Sequence, residues 1–147
     1  EAMIRATADS DVSLYHDGSL KLSTASGGVN ITGALDASTI VLAETDTDTS
    51  NTGSVTLDFS AHQNFVLTLT GNVTLANPST ESVGQAGVIV FIQDGTGSRT
   101  VSLGTDYETA GGAGLTLSTA ASAVDVVPYF VKASGSIQLG APQLAFS

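Results

Sequence analysis

Apolar and polar residues alternate with a period of two in short stretches along this chain. The stretch DVSLYHDGSLKLST has two alternating arms joined by Asp17-Gly18, a pair suited to a tight turn, so it predicts a β-hairpin. The stretch GVNITG, with Val29 and Ile31 on one face, predicts a third strand beside that hairpin. The first third of the chain is therefore predicted to form a few thin strands.

The later part of the chain is richer in aliphatic residues and also predicts strands. SVTLDFS predicts one strand, and FVLTLTGNVTLANP and GVIVFIQDGTGSRTVSLG each predict a hairpin, with turns at Asn72 and at DGTGS. GLTLST, AVDVVPYFVKAS and SIQLG follow, and turn signals recur about every ten residues. No sustained helical periodicity is present. We therefore expect an all-β fold in which a thin stalk segment leads into an antiparallel β-sandwich of jelly-roll-like form.

A polar break, ETDTDTSNTG at residues 44–53, separates the two textures. It predicts a flexible linker, and we place a domain boundary there, with a stalk at 1–43 and a β-sandwich domain at 44–147. The stalk has one apolar face and nothing to cover it, because a lone hairpin is marginal in water. We expect three identical chains to intertwine and cover each other's faces. The predicted trimer core of the stalk is Leu14, Leu20, Leu22, Val29 and Ile31.

Composition excludes several classes of function. The chain has 147 residues, with 14 acidic against 4 basic, and its formal net charge of −10 disfavours nucleic acid and anionic membranes. Without cysteine it has no disulfide, thiolate or Cys-ligated zinc. No apolar run reaches the ~20 residues of a membrane-spanning helix. Because the chain begins at Glu1 rather than Met, we expect it to be processed or to be part of a longer protein.

The sequence predicts no enzyme, no cofactor and no metal site. Neither a Gly-x-Ser-x-Gly nor a His-Glu-x-x-His pattern is present, and His16 and His62 lie in contexts typical of surface or contact residues. DTDTSN has alternating oxygen ligands but lacks the glycine and glutamate of a calcium loop. A glycosidase pairs carboxylates across a sugar-binding cleft, yet the chain has no Trp. The paired acids are instead interpreted as solvated loop residues: Asp9 and Asp11, Asp46 and Asp48, and Asp106 and Glu108.

Two stretches resemble a known class of protein. ATADSDVSLYHDGSLKLSTASGGVNITGAL resembles short repeats of tail fibres and related appendage proteins of bacteriophages, especially marine phages. The stretch from Asn64 to Val131 looks like a β domain that accompanies such repeats. The positions that carry the first resemblance are Val12, Leu14, Tyr15, Asp17, Gly18, Ser19, Lys21, Leu22, Gly28, Val29, Ile31, Thr32 and Gly33.

The resemblance implies a structural virion protein, a homotrimeric tail fibre that presents its β domain for attachment to the host surface. Its expected partners are other virion proteins, reached through a missing N-terminal region, and a host-surface glycan or protein. Alternatives are a head or collar decoration or connector fibre without receptor binding, and a polysaccharide-degrading tailspike. We expect receptor contacts on two exposed loops. The candidate contact residues are Gly95, Thr96, Gly97, Ser98, Arg99, Asp106, Tyr107 and Glu108.

Overall fold

The computed structural model describes residues 3–8 and 10–146 and confirms the all-β class. Strands hold 51% of the described residues and helix 2%. The chain divides into two compact units, a first unit at Glu1–Val41 and a second unit at Leu42–Ser147.

The first unit is a four-stranded antiparallel sheet in which each strand pairs with the next along the chain. The predicted hairpin is confirmed at β2 and β3, and the φ angles of Asp17 and Gly18 (48° and 70°) fit a type I′ turn. The sequence did not predict β1, because three residues are too few to show a period. Its strands are β1 (Ile4–Ala6), β2 (Val12–His16), β3 (Ser19–Ala25) and β4 (Gly28–Ile31).

The second unit is built on one curled eight-stranded sheet. A 3₁₀ turn lies at Ala110–Gly112, in the loop after β9. The strands are β5 (Thr45–Val55), β6 (Asn64–Leu75), β7 (Ala86–Gln93), β8 (Val101–Leu103), β9 (Tyr107–Glu108), β10 (Val124–Ala133), β11 (Ser136–Leu139) and β12 (Gln143–Phe146).

The predicted antiparallel arrangement of this unit is wrong at its centre. β5 and β6 are parallel, and β7 and β8 both run parallel to the other edge of β6. The two predicted hairpins are therefore not formed: the first is the single bent strand β6, and the second is the consecutive pair β7 and β8. Antiparallel pairing begins only at β10, which pairs with β7, β11 and β12.

Side-chain hydrogen bonds connect the middle of β6 to the segment between β7 and β8 and hold that segment in place. The carboxamide oxygen of Asn72 accepts the N–H of Thr100 at 3.1 Å, which ties the bend of β6 to the bend between β7 and β8. The side chain of Gln93 accepts the N–H of Arg99 at 2.8 Å and donates to its carbonyl at 2.9 Å. The chain thus turns a corner at each bend and continues along its neighbour.

The polar stretch predicted to be a linker is strand β5. Its side chains are mostly exposed and its backbone pairs with β6, so it needs few apolar residues. Asn51 is buried in its middle and donates to the carbonyls of Asp48 and Thr68. β5 is a strand because its backbone pairs with β6, and the alternation of hydrophobic residues cannot predict such a strand.

The core lies inside the curled sheet of the second unit. Phe59, Phe65 and Tyr129 form an aromatic cluster, with ring centroids of Phe59 5.0 Å from Phe65 and 5.2 Å from Tyr129. Leu57 and Phe59 are buried although they lie on the irregular return from β5 to β6. This closed core provides the scaffold on which the loops of the second unit are held.

Candidate functional site

The first candidate loop, Gly95–Arg99, is held rigidly by Asp94. One oxygen of Asp94 accepts the N–H groups of Thr96 and Gly97, each at 2.9 Å. The other accepts from the guanidinium of Arg99, with its closest N–O distance 2.8 Å. These bonds, of which the one from Arg99 is the largest, lower the pKa of Asp94 to about 2. Arg99 is thus committed to its own loop.

The same loop packs against the segment Thr119–Ser122. Ser98 donates its N–H to the carbonyl of Thr119 at 2.9 Å, and Ser122 donates to the carbonyl of Asp94 at 3.0 Å. Gly97 is buried in this contact, whereas Gly95, Thr96 and Ser98 are exposed. The face that a partner could reach is therefore formed by those three small residues.

The second candidate loop contains both surface and core residues. Tyr107 is only 6% exposed and belongs to the core, where burial raises its pKa. Glu108 is exposed; it accepts from the hydroxyl of Ser136 at 2.7 Å and from Lys132 at 3.1 Å, and these bonds lower its pKa. Asp106 donates its backbone N–H to the side chain of Asn77 at 3.1 Å. Asp106 and Glu108, not Tyr107, are the residues of this loop that a partner could contact.

A groove of about 730 Å³ opens beside the second loop. One wall is β8 with Gly104, the other is the loop Thr109–Leu115, and Tyr107 and Glu108 complete the lining. Within the described residues, no hydrogen bond joins the loop at 95–99 to residues 106–108. The structure therefore offers two separate candidate surfaces on the second unit.

The predicted stalk residues share a sheet but not a single row. Leu14 pairs with Leu22, and Leu22 pairs with Ile31, so these three lie side by side across β2, β3 and β4. Val29 lies two residues from Ile31 on the same face, whereas a register shift puts Leu20 opposite Tyr15. The sequence missed Ile4, which pairs with Leu14 and extends the row onto β1.

Residues considered for catalysis or metal binding are dispersed. His16 is exposed beside Asp17. The buried Nδ1 of His62 has no hydrogen-bond partner among the described residues, and its ring lies 6.3 Å from that of Phe65. Asp46 and Asp48 lie on β5, and Asp9 is outside the described residues. No group of three or more His, Asp or Glu side chains that could hold a metal ion is found among residues 3–8 and 10–146.

A buried carboxylate that the sequence did not single out has a structural role. Asp125 is 1% exposed and accepts from the backbone and hydroxyl of Ser118 at 2.6 and 2.7 Å, and from the N–H of Ala145 at 2.9 Å. Its two carboxyl oxygens thus accept hydrogen bonds from three donors, which fixes the segment before β10 and the strand β12 to the sheet.

None of the helical residues that the structure describes belongs to a helix able to span a membrane.

Comparison with known proteins identifies the family. Neither the curated proteins nor the solved structures contain a match. The family model described as "Putative phage tail fibre C-terminal domain" matches residues 49–136, which is more than half of the chain and includes both candidate loops. The chain therefore belongs to this family of phage tail fibre domains and is a structural part of the virion's tail appendage.

Proposed function

We propose that this chain forms part of a homotrimeric tail fibre whose first unit builds the shaft and whose second unit is presented for attachment to the host surface. The proposed division lies near residues 43 and 44, and the protein acts by presentation, without catalysis. One observation carries the proposal: the first unit is a single sheet, and within the described residues of that unit no second layer covers its apolar face.

That face is continuous across all four strands. Ile4, Leu14, Leu22 and Ile31 form one row, and Ile4 and Ile31 remain 67% and 42% exposed. The neighbouring row on the opposite face is polar and includes Ser13, which pairs with Ser23. A four-stranded sheet with one uncovered apolar face is expected to bury it against a partner.

A second and third copy of the same chain fit this face best. The apolar row carries no charge, whereas the chain as a whole carries −10, so copies repel each other least where these rows meet. Three sheets around an axis give each apolar face two neighbours, and the resemblance to fibre repeats implies this number. Association thus supplies the second layer that the first unit lacks.

Trimerisation also explains how small contact loops could suffice for attachment. The loop at 95–99 is already ordered by Asp94 in the free chain, which reduces the entropy lost on binding. Three copies on one fibre then bind with an avidity far above that of one loop. We propose as contacts Gly95–Arg99 and, in the second loop, Asp106 and Glu108.

The test is the mass of the protein in solution, measured by light scattering. We expect a trimer for the full chain and a monomer for a chain that starts at Glu44, with circular dichroism confirming that its β fold remains. The double variant Leu22→Asn and Ile31→Asn should also be monomeric. Its matched control exchanges residues on the opposite face, Ser23→Asn and Asn30→Ser, and should remain trimeric. A monomeric full chain would refute the proposal. If the double variant is trimeric like its control, the interface does not lie on the apolar row.

A further inference from the structure

We propose that the groove beside β8 binds a short, uncharged glycan. This inference rests on the proposed attachment function, because it names the ligand class for the second of the two candidate surfaces. It is carried by the shape, the charge and the mixed chemistry of the groove.

The groove has the volume of a small-molecule site and is bounded on one side by the largely exposed loop Thr109–Leu115. Its volume of about 730 Å³ lies within the ~300–1,000 Å³ usual for ligand pockets. Two smaller hollows, of about 290 and 200 Å³, are both lined in part by Thr109 and Ala110, and Thr109 also lines the groove. Open space therefore lies on more than one side of the loop Thr109–Leu115.

The charges of the lining favour an uncharged ligand. Among the described residues that line the groove, the one ionised side chain is Glu108, and Lys132 lies 3.1 Å from its carboxylate. No cation is left over to hold an anionic ligand, and the net charge of −10 repels one at a distance. The free lone pairs of Glu108 can still accept hydrogen bonds from hydroxyl groups.

The lining also matches the two kinds of surface that a sugar presents. Leu103 and Leu115, which are both partly exposed, supply aliphatic surface for the C–H face of a sugar ring. Ser102, an exposed hydroxyl on β8, and Glu108 supply hydrogen-bonding groups for its hydroxyls. At Gly112 a Cβ would meet no atom within 4 Å, so the backbone there is accessible to a ligand.

The expected affinity of one groove is low. The aromatic side chain that lines it, Tyr107, is buried in the core, so no exposed ring is available there for stacking. We expect dissociation constants on the order of 1 mM for a single groove. Three grooves on one fibre would raise the effective affinity by avidity.

Saturation-transfer difference NMR tests the proposal with four neutral probes: maltotriose, cellotriose, chitotriose and mannotriose. We expect transfer to at least one of them, none to the anionic trigalacturonate, and amide shift changes confined to residues 101–104 and 107–115. Absence of transfer to every neutral trisaccharide overturns the proposal. So does preferential binding of trigalacturonate, or a shift map that lies elsewhere.

A matched pair of variants locates the site. Ser102, Thr74 and Ser54 lie in one row across β8, β6 and β5, so Ser54 offers an exposed position two strands from the groove. Ser102→Trp should weaken binding at least tenfold, and Ser54→Trp should change it less than twofold. Equal effects would overturn the proposal, and if Ser102→Trp does not fold, the wild-type shift map decides. If the protein is a trimer but binds no sugar, only the proposal of a glycan-binding groove is refuted. If it is a monomer that binds sugar, only the proposal of a trimeric fibre is refuted.

Discussion

The two units of this protein solve the burial of apolar residues in opposite ways. In the second unit, Phe65, Leu69 and Leu75 are 0% exposed, because the curled sheet encloses its own core. In the first unit, Ile4 and Val29 are 67% and 56% exposed on a sheet that has one layer. The same β-strand alternation thus gives a closed core when the sheet curls and an open face when it does not.

This difference bears on function. A closed core holds loops at fixed positions, as Asp94 and its bonds show for residues 95–99. An open apolar face is a surface for association. The stability of the second unit should therefore depend on individual buried core side chains. The stability of the first unit should depend on protein concentration, because association buries its apolar face.

The largest effect should come from core truncation. Phe65→Ala removes a fully buried ring from the aromatic cluster and should lower the free energy of unfolding by about 3–5 kcal/mol. Ile4→Ala, in chains dilute enough to be monomeric, should cost about 0.5 kcal/mol or less. Urea denaturation followed by far-ultraviolet circular dichroism measures both. Equal losses would show that the first unit has a closed core of its own.

A smaller effect should follow from adding one methyl group to a glycine in each unit. Gly97 has a φ of 75°, and a Cβ there would overlap the backbone of Thr119 and Ala121, so Gly97→Ala should cost about 2–4 kcal/mol. A Cβ at Gly27 in the first unit would meet nothing within 4 Å, so Gly27→Ala should change stability by about 0.5 kcal/mol at most. Thermal unfolding of both variants provides the comparison. A tolerated alanine at Gly97 would mean that its loop is not packed against Thr119.

The smallest effect should be the loss of stability when Asp94 and Asp11 are protonated at low pH. Hydrogen bonds lower the pKa values of Asp94 in the second unit and Asp11 in the first, Asp94 to about 2 through Arg99 and Asp11 chiefly through Ser13. A carboxylate whose pKa is lowered in the folded state stabilises the fold at pH values above the ordinary Asp pKa of 3.8. The contribution of Asp94 is lost as the pH falls from there towards 2. NMR titration of the carboxyl carbons should give Asp94 the lower midpoint. Arg99→Gln should raise it, and a midpoint of Asp94 near 4 in the wild type would contradict the bonded loop.

Hydrophobic alternation predicted where most strands lie but could not predict their partners. Asn64–Leu75 was expected to turn back at Asn72, yet Asn72 instead binds the backbone of the next bend at Thr100. A polar residue at a bend has the same appearance in sequence whether the chain reverses or merely turns a corner. Strand β5 escaped prediction for a related reason, since its exposed side chains need not be apolar.

The candidate site was predicted only in outline. The positions of both loops follow from glycine and acidic residues that are typical of turns. The burial of Tyr107 could not be foreseen, because β9 has two residues and so shows no alternation. The groove depends on how the loop Thr109–Leu115 lies against β8, which is a tertiary relationship without a local signal.

The place of β10 in the sheet sets an order for folding. β10 lies between β7 on one side and β11 and β12 on the other, although it begins only at Val124. During synthesis the first unit can therefore pair its adjacent strands early, while the second waits until β10 has left the ribosome. Contacts between distant residues also form slowly. Nascent chains on one messenger RNA would thus expose completed first-unit sheets to each other while their second units are still unfolded.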